Sequence, residues 1–233
     1  MDKFKRASKQ HTVYRQKDGK RVPGITGITK YLTNTQVLIQ WANKLGLEGV
    51  KSSEYVDQLA NIGTCLHYLI ECDLQAMEPS LGDFTGNQIA QAKQMFTKFE
   101  EWKKGRELVT IAMEKPLVSE AYPFGGTGDW YGIEDGKLTY IDFKTSKGCY
   151  FEHKVQAVAC SKLWEENTGE LPSVVKILRV GRSMDEGVEE IVVPEEYRND
   201  MWQIFTSLCR VHDLKEKLDP SYNKNQYKSW RKK

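Results

Sequence analysis

The stretch from Gly126 to Ser146 constrains this 233-residue chain more than any other. It reads Gly126-Thr127-Gly128-Asp129-Trp130-Tyr131-Gly132, then Glu134-Asp135-Gly136-Lys137, then Leu138-Thr139-Tyr140-Ile141-Asp142-Phe143-Lys144-Thr145-Ser146. Asp-Gly between two β-prone runs is the chemistry of a tight hairpin turn, which needs positive φ. A hairpin here makes the runs antiparallel neighbours, so Asp129 and Asp142 can meet at one end of a sheet. Residues two apart on a strand share a face, which puts Lys144 beside Asp142. Two carboxylates and an amine at one place suit divalent-metal chemistry on a phosphate. Carboxylate oxygens are the ligands that Mg²⁺ and Mn²⁺ prefer, and a lysine beside them can hold a charged oxygen or help to activate water. The same spacing also fits an ordinary charged stripe on a hairpin. Two details favour a site. Asp142 closes a largely apolar run, and Asp129 follows three small residues that permit close backbone approach.

The rest of the chain supplies elements around this hairpin. Residues 12–22 read as a first hairpin turning at Asp18-Gly19. From Ile25 to about Glu101 the pattern is helical. Asn34 or Thr35 can cap a helix through Trp41 and Leu45. Residues 54–76 and 87–104 carry apolar stripes at helical spacing, with a loop at 78–83 between them. Strands are expected at 108–114, 126–133, 137–144, 174–180 and, as an edge, 188–193. A helix over 151–166, closed near Gly169, separates the third strand from the fourth. A final amphipathic helix spans 195–217. The reading is one domain: a hairpin and helical lobe over 1–105, a sheet core with its closing helix over 106–217, and a basic tail over 218–233.

Charge and cysteine content narrow the setting. The net charge is +2, but residues 1–22 carry +6 and residues 223–233 carry +5, leaving −9 between them. Basic ends around an acidic body fit an enzyme whose acidic site meets phosphate, and fit solvated tails equally. Tyr227 and Trp230 in the tail either stack on bases or have no role. Five cysteines, Cys65, Cys72, Cys149, Cys160 and Cys209, are odd in number and ungrouped. A reducing compartment, the cytoplasm, is therefore expected, with no iron–sulfur cluster and no zinc. No apolar run follows Met1–Arg6 to suggest a secretory leader, and none approaches a membrane span. No Walker A sequence appears, so no ATP chemistry is expected.

Taken together, Gly-Thr-Gly-Asp-Trp, a hairpin and Ile-Asp-Phe-Lys-Thr-Ser resemble the PD-(D/E)XK nuclease superfamily in its RecB-like exonuclease branch. Two further marks stand in the right order. One is Gly63-Thr64-Cys65-Leu66-His67 with Glu71 one turn later; the other is Gln156 on the helix after Lys144. Where the family commonly has Tyr four residues after that Gln, this chain has Cys160. The resemblance covers roughly residues 22 to 180, and Val22-Pro23-Gly24-Ile25-Thr26-Gly27-Ile28 resembles the start of phage-encoded members.

The resemblance implies an α/β fold with an αβββαβ restriction-endonuclease-like core, a mixed central sheet flanked by helices, and a helical N-terminal lobe. It implies a Mg²⁺- or Mn²⁺-dependent DNA exonuclease in phage or bacterial recombination, repair or DNA processing. DNA with a free end is the implied partner, with a recombination or single-strand-binding protein as a further one. Asp129, Asp142, His67 and the Phe143 carbonyl would hold metal, while Lys144 would neutralise the attacked phosphate and orient or deprotonate water. Imidazole in the set would favour Mn²⁺ over Mg²⁺. Glu114, read as ending the first strand, would add an acid near the metals, or pair with Lys115 or another base. Gln156 would bind phosphate or position water, or would simply be a polar residue on the helix surface. Glu71 either orients His67 or is a solvated acid. Thr145, Ser146 and Lys147 are candidates for the DNA backbone; Tyr150 and Phe151 either stack on an unpaired base or pack in the core. The rival readings are a structure- or sequence-specific endonuclease on the same fold, a catalytically idle DNA-binding module, and an RNA-processing enzyme. Polarity, strand preference, metal number and oligomeric state have no signature in the sequence.

Overall fold

In the computed structural model, residues 12–219 are described. The N-terminal basic run is described only from residue 12 on, and the C-terminal one, with Tyr227 and Trp230, lies outside the described residues. One five-stranded mixed sheet, ordered β3-β4-β5-β6-β7, organises the rest. Its strands are β3 (Leu108–Val118), β4 (Gly125–Glu134), β5 (Lys137–Lys144), β6 (Val174–Val180) and β7 (Val188–Val192). The β4–β5 hairpin turns at Asp135 (φ 48°) and Gly136 (φ 80°), the positive-φ pair that Asp-Gly permits. Helix α5 (Phe151–Thr168) carries the chain over to β6, which therefore lies parallel to β5. Such a crossover needs a dozen residues or more, and a helix supplies them. All other pairings are antiparallel.

β5 is central, and its run from Thr139 to Phe143 is buried throughout, as a strand covered on both faces must be. One layer holds α5, α6 (Glu195–Leu218) and the short α1 (Ile25–Thr29); Tyr131, Tyr140 and Ile177 face it. The other holds α3 (Ser52–Leu74) and α4 (Gly86–Lys103), against Trp130, Ile141, Phe143 and Leu178. This alternation follows the period-two pleat. Burying a side chain such as Trp130 or Phe143 stabilises by roughly 1.5–3 kcal/mol. The N-terminal hairpin, β1 (Tyr14–Arg15) with β2 (Arg21–Val22), leans on the start of β4, where the Tyr14 and Thr127 hydroxyls lie 2.9 Å apart.

Two elements differ from the sequence reading. Strand β3 does not end at Glu114; it runs four residues further, to Val118. Its register against β4 slips by one residue between Thr110 and Ala112, and Glu114 itself sits at φ 46°. β3 is an edge strand, where a bulge and Pro116 are both tolerated. Second, α2 (Thr35–Leu47), capped by the Asn34 side chain as expected, contains no buried residue although its sequence is amphipathic.

Candidate active site

The site exists because β4 and β5 part company. They pair from Glu134/Lys137 as far as Trp130/Ile141; beyond that β5 continues alongside β6 only, through Asp142, Phe143 and Lys144. The Phe143 N–H is left facing β4 without a strand carbonyl. The Asp129 carboxylate fills that role, accepting the bond through Oδ2 at 2.8 Å. A backbone donor is thus satisfied by a charged acceptor, the stronger kind of bond, and Oδ1 is left to face the opening.

Helix α3 brings the imidazole. A Cβ added at Gly63 would stand 2.9 Å from Thr145 Oγ1, so glycine lets the helix settle against the residue following Lys144 without displacing it. One turn later His67 lies over Phe143, ring centroids 5.9 Å apart at 81°. Its Nδ1 stands 3.7 Å from Glu114 Oε1 and 3.8 Å from Asp129 Oδ1. These distances are too long for hydrogen bonds. The positive φ at Glu114 accompanies an acid that joins this group from the edge strand.

One donor atom from each of His67, Glu114 and Asp129 lies within 4.8 Å of the other two. Ligands about 2.1 Å from one octahedral ion are roughly 3.0 Å apart as neighbours and about 4.2 Å across it. The spacing and the donor set, two hard carboxylates and an imidazole, therefore fit a divalent ion. Burial pushes the Asp129 carboxyl up, to about 7, against the pull of the His67 and Lys144 charges. Burial would lower the His67 imidazole, but the carboxylates of Asp129 and Glu114 outweigh it and raise its pKa. A bound cation would take over the neutralising role of these protons.

Asp142 lies deeper, fully buried on the α5 side. Lys144 Nζ stands 2.5 Å from its Oδ2, and Gln156 Nε2 donates to Oδ1 at 3.3 Å. The Tyr140 hydroxyl also donates to Oδ1, at 3.4 Å. Among the described residues Oδ2 takes no hydrogen bond of good geometry, and the Lys144 ammonium is the charge that faces it. Burial would lower the Lys144 ammonium pKa, but Asp142 and Asp129 outweigh it and raise it, so Lys144 stays charged.

The structure thus brings together His67, Glu114 and Asp129, with Asp142, Lys144 and Gln156 in a linked group behind them. Phe143 enters through its N–H and its ring. Glu71 is buried one turn beyond His67, outside the donor group, and its charge bears on the Tyr68 hydroxyl. Thr145, Ser146, Lys147 and Tyr150 line a cleft of about 980 Å³ that opens over the donor group. Tyr150 is held at the start of α5, where its N–H donates to His153 Nδ1 at 3.2 Å. Phe151 is half exposed rather than in the core. No disulfide joins any of the five cysteines; Cys160 sits in the core with its thiol pushed up to about 12 by burial.

The sequence reading gave no role to Trp41, Tyr55 or Arg182, which also line the cleft. Trp41 and Tyr55 look like core residues at helical spacing, and Arg182 follows β6 in a turn that carries no motif.

No family model and no curated protein matches this chain. Among solved structures it is similar to a provisionally named exonuclease from Eubacterium rectale: 14% identity, 78% of this chain, 68% of that one, TM-score 0.40. It is also similar to LHK-Exo, solved in complex with dAMP: 10% identity, 72% of this chain, 91% of that one, TM-score 0.36. Superpositions this partial assign neither fold nor activity, and the functional reading rests on the site. No helix among the described residues is long and apolar enough to cross a membrane.

Proposed function

We propose that this protein is a divalent-metal-dependent deoxyribonuclease, an exonuclease hydrolysing phosphodiester bonds from DNA ends. The observation that carries the reading is the convergence, at the parting of β4 and β5, of an imidazole–carboxylate group with a buried Asp142–Lys144 pair. The helix, three strands, helix and strand around it support membership of the PD-(D/E)XK superfamily. The RecB-like branch, the phage or bacterial origin and a role in recombination or repair rest on the sequence resemblance alone.

His67, Glu114 and Asp129 would hold the ion, Mg²⁺ or Mn²⁺, with Asp142 close behind. When bound, it supplies Lewis acidity toward a phosphoryl oxygen and a more acidic water. The chain's own groups do the rest. Lys144, kept charged by Asp142, meets the negative charge that builds on the phosphoryl oxygens. Gln156 and the Tyr140 hydroxyl fix the Asp142 carboxylate and hence the ammonium. The Asp129–Phe143 bond fixes the first carboxylate. Thr145, Ser146 and Lys147 line the cleft and would contact the backbone of a bound strand.

The test uses end-labelled linear DNA and covalently closed circles, single- and double-stranded, with Mg²⁺ or Mn²⁺, beside a Lys144→Ala control. Metal-dependent loss of linear DNA alone, abolished in the control, is expected; the label released first gives the polarity. Nicked circles would replace the exonuclease with an endonuclease. Intact DNA under every condition would sink the catalytic reading.

A further inference from the structure

The cleft has two unlike kinds of lining. α2 and the start of α3 present apolar and aromatic side chains to solvent. Trp41 is 36% exposed, Tyr55 38% and Leu38 48%, with Val37 and Val56 beside them. The Trp41 and Tyr55 rings are 6.1 Å apart and tilted by 55°, so they stand side by side rather than stacked on each other. A contiguous apolar surface of this kind marks a binding site more often than chance exposure.

Another part of the lining is polar and cationic, Thr145, Ser146, Lys147 and Arg182, with Tyr150 among them. Arg182 is held in place. Its own amide donates to Glu186 Oε2 at 2.8 Å, and Lys98 Nζ donates to the Gly181 carbonyl at 3.0 Å and to those of Ser183 and Glu186 at 2.5 Å. Yet its buried Nε finds no hydrogen-bond partner among the described residues. A buried donor left unsatisfied is costly, and a guanidinium is the group best shaped for a phosphate.

We propose that this cleft is a groove for one unpaired DNA strand, in which Trp41 and Tyr55 take base faces while Arg182 and Lys147 take phosphates. The proposal rests on the nuclease reading above and narrows its substrate. An unpaired strand has π-faces on one side and a charged backbone on the other, matching the two kinds of lining, and the group that would hold metal lines the same cleft. A duplex keeps its base faces stacked inside and cannot offer them to α2. A protein partner or a second copy of the chain would cover the apolar residues without needing an anion at Arg182, whereas a nucleic-acid strand brings both at a fixed spacing. Stacking tolerates any base, so little sequence preference is expected.

The test is equilibrium binding of the full chain in Ca²⁺ buffer, with oligonucleotide integrity checked on gels. Three labelled probes are compared: an unpaired oligonucleotide, an abasic strand of equal length and a blunt hairpin duplex. The unpaired strand should bind at least about ten-fold more tightly than either of the others. Trp41→Ala and Tyr55→Ala should pull the ratio of unpaired to abasic binding toward one, with Trp41→Phe keeping most of it. Arg182→Ala should weaken both strands by a similar factor. Melting curves confirm that each variant is folded.

The groove is overturned by equal binding of the abasic strand, by duplex binding as tight as the unpaired strand, or by no binding at all. It is also overturned if the ring substitutions lower both strands alike, or if Trp41→Ala instead disperses a dimer. Wild-type cleavage of linear DNA in Mn²⁺, run in parallel, separates the two readings. Cleavage without base-dependent binding removes the groove and leaves the nuclease. Base-dependent binding without cleavage does the opposite.

Discussion

The Asp129 carboxylate accepts the backbone N–H of Phe143 at 2.8 Å, across the point where their two strands stop pairing. One side chain therefore does two jobs: Oδ2 closes the sheet end, and Oδ1 belongs to the group that can hold an ion. The jobs can be separated. Asp129→Asn keeps an acceptor for the Phe143 N–H but loses the charge. Activity should fall at least about 100-fold, by analogy with lesser changes around metal ligands, with little change in melting temperature. Asp129→Ala should lose the same activity and also about 1–3 kcal/mol of stability, because a partly buried N–H is orphaned. Equal melting temperatures for the two variants would show that the bond supports nothing.

Much of this was legible beforehand, for local reasons. Asp135-Gly136 dictates its own turn, and once the hairpin forms, the pleat alone puts Asp142 and Lys144 on one face. Gly63 was legible only as part of a motif; its physical reason, the approach of Thr145, lies 82 positions away. Glu114 shows the converse. Its positive φ and the register slip before it are set by pairing with β4, and no glycine in β3 announces them. α2 exposes a third gap. Periodicity reveals an apolar stripe but not what covers it, so Trp41 reads the same whether it faces core or cleft. Arg182 is placed by Lys98 and Glu186, contacts made only in the folded chain.

The Gly63–Thr145 contact predicts a reversal of an ordinary rule. In an exposed helix interior Gly→Ala stabilises by about 1 kcal/mol. At Gly63 the added methyl meets a β-branched side chain whose rotamer is stiff. Gly63→Ala should therefore be neutral or destabilising alone, yet stabilising by about 1 kcal/mol in a Thr145→Ala background. A double-mutant cycle in urea reads the difference directly. Additive effects would mean that the helix adjusts freely and that Gly63 is not there for Thr145.

At the far end of the sheet, Lys176 is 2% exposed and bonded to Glu134 and Glu190. Trp102 and Arg106 hold the second Glu190 oxygen. Burial would raise the Glu190 carboxyl, but the Trp102 and Lys176 bonds outweigh it and hold it below its ordinary value. A depressed carboxylate adds stability above its unfolded pKa, and that stability is lost as pH falls through the folded value. Wild type should therefore lose stability as pH drops below the ordinary glutamate range, and Glu190→Gln should lose less over the same interval. Parallel urea midpoints between pH 6 and 3 would remove Glu190 from the account.

If His67, Glu114 and Asp129 hold an ion, that ion stabilises the fold as any native-state ligand does, by about 2.7 kcal/mol at 100 times its dissociation constant. Mn²⁺ should raise the melting temperature of the wild type, and a chelator should return it. His67→Ala should shrink the shift and narrow the preference for Mn²⁺ over Mg²⁺, since the lost ligand is nitrogen. A full Mn²⁺ shift in His67→Ala would exclude the imidazole from the site.

Lys144 gives the sharpest separation of chemistry from structure. Asp142 is fully buried, and the cation against it is the Lys144 ammonium; among the described residues Gln156 and the Tyr140 hydroxyl also donate to it. Lys144→Ala leaves that carboxylate buried without a countercharge, a loss of about 3–5 kcal/mol for the metal-free protein. Lys144→Ala with Asp142→Asn removes both charges and should recover most of the stability while recovering no activity. Metal should recover part of the stability of Lys144→Ala alone, because a cation near Asp142 replaces the missing charge. Activity should stay down by about 100-fold or more even then, as expected when a group that meets transition-state charge is lost. Measured together, melting temperature and cleavage rate must diverge: stability returns with metal or with the second substitution, and the rate returns with neither. A rate that recovered alongside stability would reduce Lys144 to a structural counterion and shift the catalytic burden wholly to the His67–Glu114–Asp129 group.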